Sequence, residues 1–254
     1  MPRRPFTVKM YREPEKMTTL ATDALEKHTT DGAASPIPAA TATQLQAKKA
    51  EADAQATLQG LADKTKEERN EQRNLKIGIA PTQSSITPGT ILFHVTSISK
   101  FLLGQFRGSE RKLGDWSFTV NSPKGVVQVK IPRGAGGLIK LAKGILKKHT
   151  DDGEDSILAG FDMDGLQTLV EDAAILAEQA AKAGRDREKA TEARNLALGI
   201  AKGQNTKTPG TVAFFLRSIR DILLGIYRGQ EQQLGDWGFE VNFHTPPPPT
   251  PPGE

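Results

Sequence analysis

An internal repeat constrains this chain more than any other feature. Residues 71–121 and 192–242 align at a constant offset of 121, without insertion, and 28 of 51 positions are identical. The offset also relates Lys27-His28-Thr29 and Asp31-Gly32 to Lys148-His149-Thr150 and Asp152-Gly153, and Val8 and Arg12 to Val129 and Arg133. Residues 33–70 and 154–191 have diverged almost completely but kept their length. A long helix tolerates that kind of drift, because register and an apolar stripe suffice where particular side chains do not. Two copies are too few for a solenoid, which needs about three or more repeats. The expected organisation is a pseudo-twofold pair: a first repeat at 1–123, a second at 124–245, and a disordered proline-rich tail at 246–254.

Each copy opens with a short alternating segment, Thr7-Val8-Lys9-Met10 or Val127-Gln128-Val129-Lys130-Ile131, which has strand periodicity. A helix follows. In copy two Leu138, Leu141, Ala142, Ile145 and Leu146 recur at three and four spacing, Lys147-Lys148-His149 place positive charge in the last turn, and Asp152-Gly153 end it. A second helix starts near Asp162, and its apolar stripe of Met163, Leu166, Leu169, Val170, Ala173, Leu176 and Ala177 meets no proline until well past Ile200. A helix of about 40 residues would extend roughly 60 Å. The polar stretches around Asp63 and Gly184 leave open whether each long helix is continuous or broken there. A third helix is expected behind Thr87-Pro88-Gly89-Thr90 and Thr208-Pro209-Gly210-Thr211, with threonine capping the free amides and proline in the first turn. It ends at Arg107-Gly108 and Arg228-Gly229.

The alternation Trp116, Phe118, Val120, repeated as Trp237, Phe239, Val241, reads as a closing strand with one buried face. Only Ser122-Pro123-Lys124-Gly125 separates the first closing strand from the second opening strand, which favours a hairpin between copies. Twofold symmetry then asks the last strand to pair with the first. The fold class is therefore mostly α: a tandem duplication of a strand, helix, long helix, helix, strand unit, forming a helical bundle with small β-hairpins linking the copies.

Several motifs have both a chemical and a structural reading. His28 and His149, each with an aspartate three residues on, could start a metal or acid–base site, but a metal needs more ligands converging on one point. Imidazole at a helix carboxyl end is ordinary capping. Arg73-Asn74 and Arg194-Asn195 sit in the long helix before apolar residues, so each arginine needs a fixed partner, with Asp115 and Asp236 as the expected counter-charges. The six residues Arg73, Asn74, Asp115, Arg194, Asn195 and Asp236 are the candidates for either a polar tie or a ligand site between the repeats. Trp116 and Trp237 read as core rather than as stacking platforms. The stretch Arg133-Gly134-Ala135-Gly136-Gly137 lacks the lysine spacing of a phosphate loop and the fingerprint of a dinucleotide fold, and reads as a turn and cap.

No catalytic, metal-binding or cofactor signature emerges, so a non-enzymatic interaction or structural protein is the leading expectation, with a protein partner or self-association. A small-ligand or enzymatic site between the repeats is the first alternative. Weak nucleic-acid binding through the basic first repeat is the second: it has 17 Lys or Arg against 13 Asp or Glu, while the remainder has 17 against 17. Acids interleave with bases, as in Lys64-Thr65-Lys66-Glu67-Glu68-Arg69, which argues against a concentrated phosphate-binding face. The chain has no cysteine, no run of 18 apolar residues and no apolar stretch following Met1 to Arg12, so a soluble, cytoplasmic protein without a secretion signal is expected.

Overall fold

The computed structural model describes residues 6–121 and 128–243. The turn expected at 122–125 and the tail expected at 246–254 lie outside them. In chain order the elements are β1 (Phe6–Val8), α1 (Pro14–Asp31), α2 (Ala39–Ile77), α3 (Ile91–Gln105), β2 (Thr119–Asn121), β3 (Gln128–Lys130), α4 (Ala135–Asp152), α5 (Met163–Leu198), α6 (Val212–Ile226) and β4 (Val241–Phe243). Short 3-10 turns at Gly32–Ala34, Glu110–Trp116, Gly153–Asp155 and Glu231–Trp237 complete the order. The fold is mostly helical, and no helix among the described residues is long and apolar enough to cross a membrane.

The strands pair as the duplication requires. β2 runs antiparallel to β3, with Val120 opposite Val129, and β1 runs antiparallel to β4, with Thr7 opposite Asn242. Each two-stranded sheet therefore takes the closing strand of one copy and the opening strand of the other.

Both long helices are continuous, α2 over 39 residues and α5 over 36. Gly184 does not break α5. Ala173, Ala180, Ala183, Ala190 and Ala197 are buried along it, a stripe at seven- and three-residue spacing that continues through the charged middle. Small side chains at heptad positions hold register without adding bulk, and the polar residues keep the solvated face.

The structure divides into two compact units, and the division falls inside both long helices. A terminal unit runs up to Leu61 and resumes at Asp186; a central unit covers Ala62–Arg185. The sequence copies and the compact units are thus different partitions: each unit combines a half of one copy with the complementary half of the other. The terminal unit's core joins Met17 and Leu20 of α1, Leu45 of α2, Leu198 of α5, Leu216 and Ile219 of α6, and Trp237. The central unit's core joins Leu138 and Ile145 of α4, Leu166 of α5, Ile77 of α2, Ile91 and Ile98 of α3, and Trp116. Fully burying a Leu, Ile or Met side chain contributes about 1.5–3 kcal/mol, so these clusters supply the main driving force for each unit.

Two local features differ from expectation. The cap of the third helix is Thr90, and in the second copy Thr211; each side chain accepts from the amide three residues on, Phe93 or Phe214, at 3.2 Å. Pro88 and Pro209 precede the helix instead of occupying its first turn, because Thr87 and Thr208 close a separate turn whose carbonyls accept from the capping hydroxyls at 3.0 and 2.9 Å. The closing strand is shorter than its alternation suggests. Trp116 and Trp237 end 3-10 turns, and the next residue, Ser117 or Gly238, takes a left-handed conformation at φ 66° or 82° that interrupts the extended chain. Phe118 and Phe239 resume it, so the tryptophans are buried as expected but by a different route. Leu75 and Leu196, the apolar residues that follow Arg73-Asn74 and Arg194-Asn195, are both exposed.

Candidate functional site

The residues kept in both copies assemble into two sets in each unit. The first surrounds the tryptophan. Lys148 of α4 bonds Asp152 one turn on, and its ammonium lies over the Trp116 ring at 5.7 Å; Lys27 of α1 bonds Asp31 at 2.6 Å and lies over Trp237 at 5.8 Å. The carboxylate bond holds each lysine above its ordinary pKa against some burial, and Asp115 adds to the effect on Lys148 as Asp236 does on Lys27. The nearby histidines make a separate tie: His28 Nδ1 meets Ser35 Oγ at 2.6 Å and His149 Nδ1 meets Ser156 Oγ at 2.6 Å. Those serines also accept from the amides of Ile37 and Leu158. The ring nitrogen thus anchors the turn that leads from the first helix of the unit toward the long helix. Among the described residues no three His, Asp or Glu side chains gather as metal ligands.

Asp115 and Asp236 therefore belong to the lysine–tryptophan set. Both are exposed, and neither is the partner of the arginine expected for it. Lys148 and Lys27 are the nearest cations to these aspartates, and the arginines lie elsewhere in each unit. Arg194 Nη1 instead meets Glu15 Oε1 at 3.2 Å, with the arginine side chain 14% exposed and the glutamate 75%. Arg73 makes no ion pair or hydrogen bond among the described residues, and its Nε, like that of Arg194, is buried without a partner. Asn74 Oδ1 is also buried without one. The backbone of the asparagines has a clear task. The Asn74 carbonyl accepts from Gly78 and Ile79 at 3.0 and 3.1 Å, and the Asn195 carbonyl accepts from Gly199 and Ile200 at 3.0 Å, which ends each long helix.

The second set lies at those helix ends. Gly78 and Gly199 have φ of 90° and 83°, and a Cβ there would fall 2.6 Å from Thr90 Oγ1 and 2.5 Å from Thr211 Oγ1. Only glycine lets the end of the long helix seat on the cap of the third helix. Past the glycine, Gln83 Nε2 donates to the Leu75 carbonyl at 3.0 Å and Gln204 Nε2 to the Leu196 carbonyl at 3.4 Å. Each unit then has a cavity with equivalent walls. In the central unit Gly78, Ile79, Gln83, Leu92, Arg133 and Leu138 line an open pocket of about 450 Å³. In the terminal unit Gly199, Ile200, Gln204, Ala213, Arg12 and Met17 enclose about 200 Å³. Arg12 and Arg133 border these cavities, and neither has an ion pair among the described residues. Their retention is visible in the sequence; the walls they complete come from the other copy, so no local pattern points to them.

A wider groove opens in the central unit between α2 and α5. Leu75, Leu169, Ile175 and Leu176 line it, with Arg69, Lys76 and Asp172 on its sides, in a volume of about 640 Å³. Lys76 Nζ and Asp172 Oδ2 join across it at 2.9 Å.

Comparison with protein-family models, with curated proteins and with solved structures finds no match to this chain.

Proposed function

We propose that the chain is a non-enzymatic interaction protein that presents related helical faces, one in each compact unit, to a protein partner or to further copies of itself. The observation that carries this reading is a pair of leucines. Leu75 and Leu196 are the same residue in both copies, yet they are 43% and 48% exposed. A single exposed leucine is ordinary on a protein surface. The same leucine kept exposed at equivalent places, where it adds little to either core, points to a surface that is used. In the central unit it also joins exposed Ile175 on the open groove, an apolar floor between charged sides as binding surfaces have. The lysine, histidine and glycine sets all have structural tasks, which supports a binding role over a catalytic one. The absence of cysteine in the sequence supports a cytoplasmic setting.

The test is mass in solution and leucine-dependent capture. Light scattering on the full chain, wild type and with Leu75→Glu and Leu196→Glu together, should show a self-associated species, or a stoichiometric captured partner, that the double substitution removes while the circular dichroism spectrum is kept. A strict monomer whose captured proteins are the same with and without the two substitutions would overturn the reading.

A further inference from the structure

We infer that the central unit binds a small neutral molecule, an apolar body carrying a carboxamide or a hydroxyl, in the open pocket between the end of α2, α3 and the segment that enters α4. The site does not rest on the exposed leucines and stands whether or not the chain has a protein partner.

Ile79, Leu92, Ile131, Pro132 and Leu138 are the apolar walls, and the volume of about 450 Å³ falls within the roughly 300–1,000 Å³ of small-molecule sites. Two polar side chains among these walls have an unmet oxygen. Gln83 Oε1 and Thr96 Oγ1 are buried and have no hydrogen-bond partner among the described residues. The glutamine is fixed from its other end: Nε2 donates to the Leu75 carbonyl at 3.0 Å, so the oxygen is the atom left over. Thr96 departs from the habit of the other helices. Thr18, Thr22, Thr43, Thr57, Thr168 and Thr191 each donate to the carbonyl four residues back, whereas Thr96 makes no such bond to Leu92.

The terminal unit shows the same frame with both oxygens provided for. Its cavity shrinks to about 200 Å³, and Tyr11, in the place of Pro132, lines it. Gln204, the counterpart of Gln83, keeps the bond to the Leu196 carbonyl, but its Oε1 accepts from the Ala201 amide at 3.3 Å. Gly203 shapes that turn with a φ of 86°, a left-handed conformation that Thr82, at the same place in the central unit, does not adopt. Arg217 replaces Thr96 and pairs with Asp221 at 3.7 Å. One unit therefore satisfies these positions from within, and the other leaves them unmet beside a larger apolar pocket.

The unmet atoms define the occupant. A glutamine oxygen only accepts, so the ligand must donate to it, while the threonine hydroxyl can donate or accept. A carboxylate brings no donor and sets negative charge against the glutamine oxygen. An ammonium would face Arg133, which lines the same pocket. A carboxamide or hydroxyl supplies donor and acceptor without charge. Buried polar groups without partners cost free energy, and a ligand of this kind recovers it on binding.

Methyl 13C NMR of the full-length protein, following Ile79, Leu92, Thr96, Ile131 and Leu138, tests the site with benzamide, benzoate and benzylammonium, which share a ring and differ in the head group. Benzamide should shift these methyls saturably and leave Ile200 and Ala213 of the terminal unit in place. Benzoate and benzylammonium should bind at least tenfold more weakly. Thr96→Val keeps the shape and removes the hydroxyl, so it should weaken benzamide binding roughly tenfold, the worth of about one hydrogen bond. It should not lower the urea midpoint, because the hydroxyl it removes has no partner in the free protein; a lowered midpoint with unchanged affinity would mark a structural hydroxyl instead. Pro132→Tyr, which copies the terminal unit, should abolish the benzamide shifts while the circular dichroism spectrum is kept. The inference is overturned if the pocket holds only water and benzamide moves none of these methyls, if either charged analogue binds as tightly as benzamide, or if Thr96→Val leaves benzamide affinity unchanged.

Discussion

The terminal and central units share a frame but differ in what completes it. Both bury a tryptophan under a lysine, tie a histidine to a serine, and close the long helix on a glycine packed against a capping threonine. The terminal unit adds a polar clamp on its strands: Tyr11 Oη donates to Glu240 Oε2 at 3.0 Å, and Lys9 Nζ lies 3.2 Å from the same oxygen. At the matching positions the central unit has Pro132, Thr119 and Lys130, and no such clamp. The contrast follows from chain connectivity. β2 and β3 are separated by six residues, whereas β1 and β4 come from near opposite ends of the chain. Closing the longer separation costs more conformational entropy. Side-chain ties offset part of that cost where the connection does not.

A second difference is a matched exchange of bulk. In the central unit Ser117 lies against Gly144, where a Cβ would fall 2.1 Å from the serine hydroxyl. In the terminal unit the same two positions are Gly238 and Asp23, and a Cβ on Gly238 would fall 2.7 Å from Asp23 Cβ. One small and one larger residue fill the contact either way round. The units have diverged by compensation, which keeps the packing that either residue alone would break.

The comparison breaks first at what the units share. Trp116→Ala and Trp237→Ala should each cost about 3–5 kcal/mol, as large-to-small core substitutions do, measured by urea unfolding. Similar losses would show that the shared frame carries both units alike, and a loss below about 1 kcal/mol in one would show that it does not. A smaller effect is expected at the exchanged contact. Gly238→Ser should destabilise by about 1–3 kcal/mol through overpacking against Asp23. Adding Asp23→Gly should recover most of it, because residues in contact are not additive. A double mutant as unstable as the sum of the singles would rule out the exchange.

The smallest effect concerns the clamp. The hydrogen bond from Tyr11, then that from Lys9, holds the Glu240 carboxyl below the usual carboxylate range. A carboxylate whose folded value is depressed adds stability that is fully present above its unfolded value and is lost as pH falls through the folded one. Wild type should therefore be slightly more stable than Tyr11→Phe at neutral pH, and the gap should close as pH is lowered through the acidic range. A gap that persists unchanged below the carboxylate range would show that the clamp acts by packing alone. No equivalent pH dependence is expected for the central unit's strands.

Much of the fold was legible in the letters. The offset of 121 locates both strand pairings, because a short link between copies forces the first and symmetry then asks for the second. The helices are legible from apolar spacing, and their ends from Asp162, Gly153 and the paired threonines. The expected partners of Arg73 and Arg194 were not. An arginine's counter-charge is chosen by which side chain reaches it through space, and Glu15 lies 179 residues from Arg194. Nor was the exposure of Leu75 legible, since an apolar residue inside a helix carries the same letter whether it faces the core or a groove.

By itself the sequence determined the duplication, the order and type of the elements, the pairing of strands between copies, and the residues both copies keep, because these depend on local periodicity, turn chemistry and chain connectivity. Tertiary structure alone decided that the compact units cut across the copies, that the two polar middles stay helical, and that Arg194 is neutralised from within while Arg73 is not. Those outcomes turn on contacts between segments far apart in the chain. Such contacts are set by shape and charge in three dimensions, and no spacing along the sequence records them.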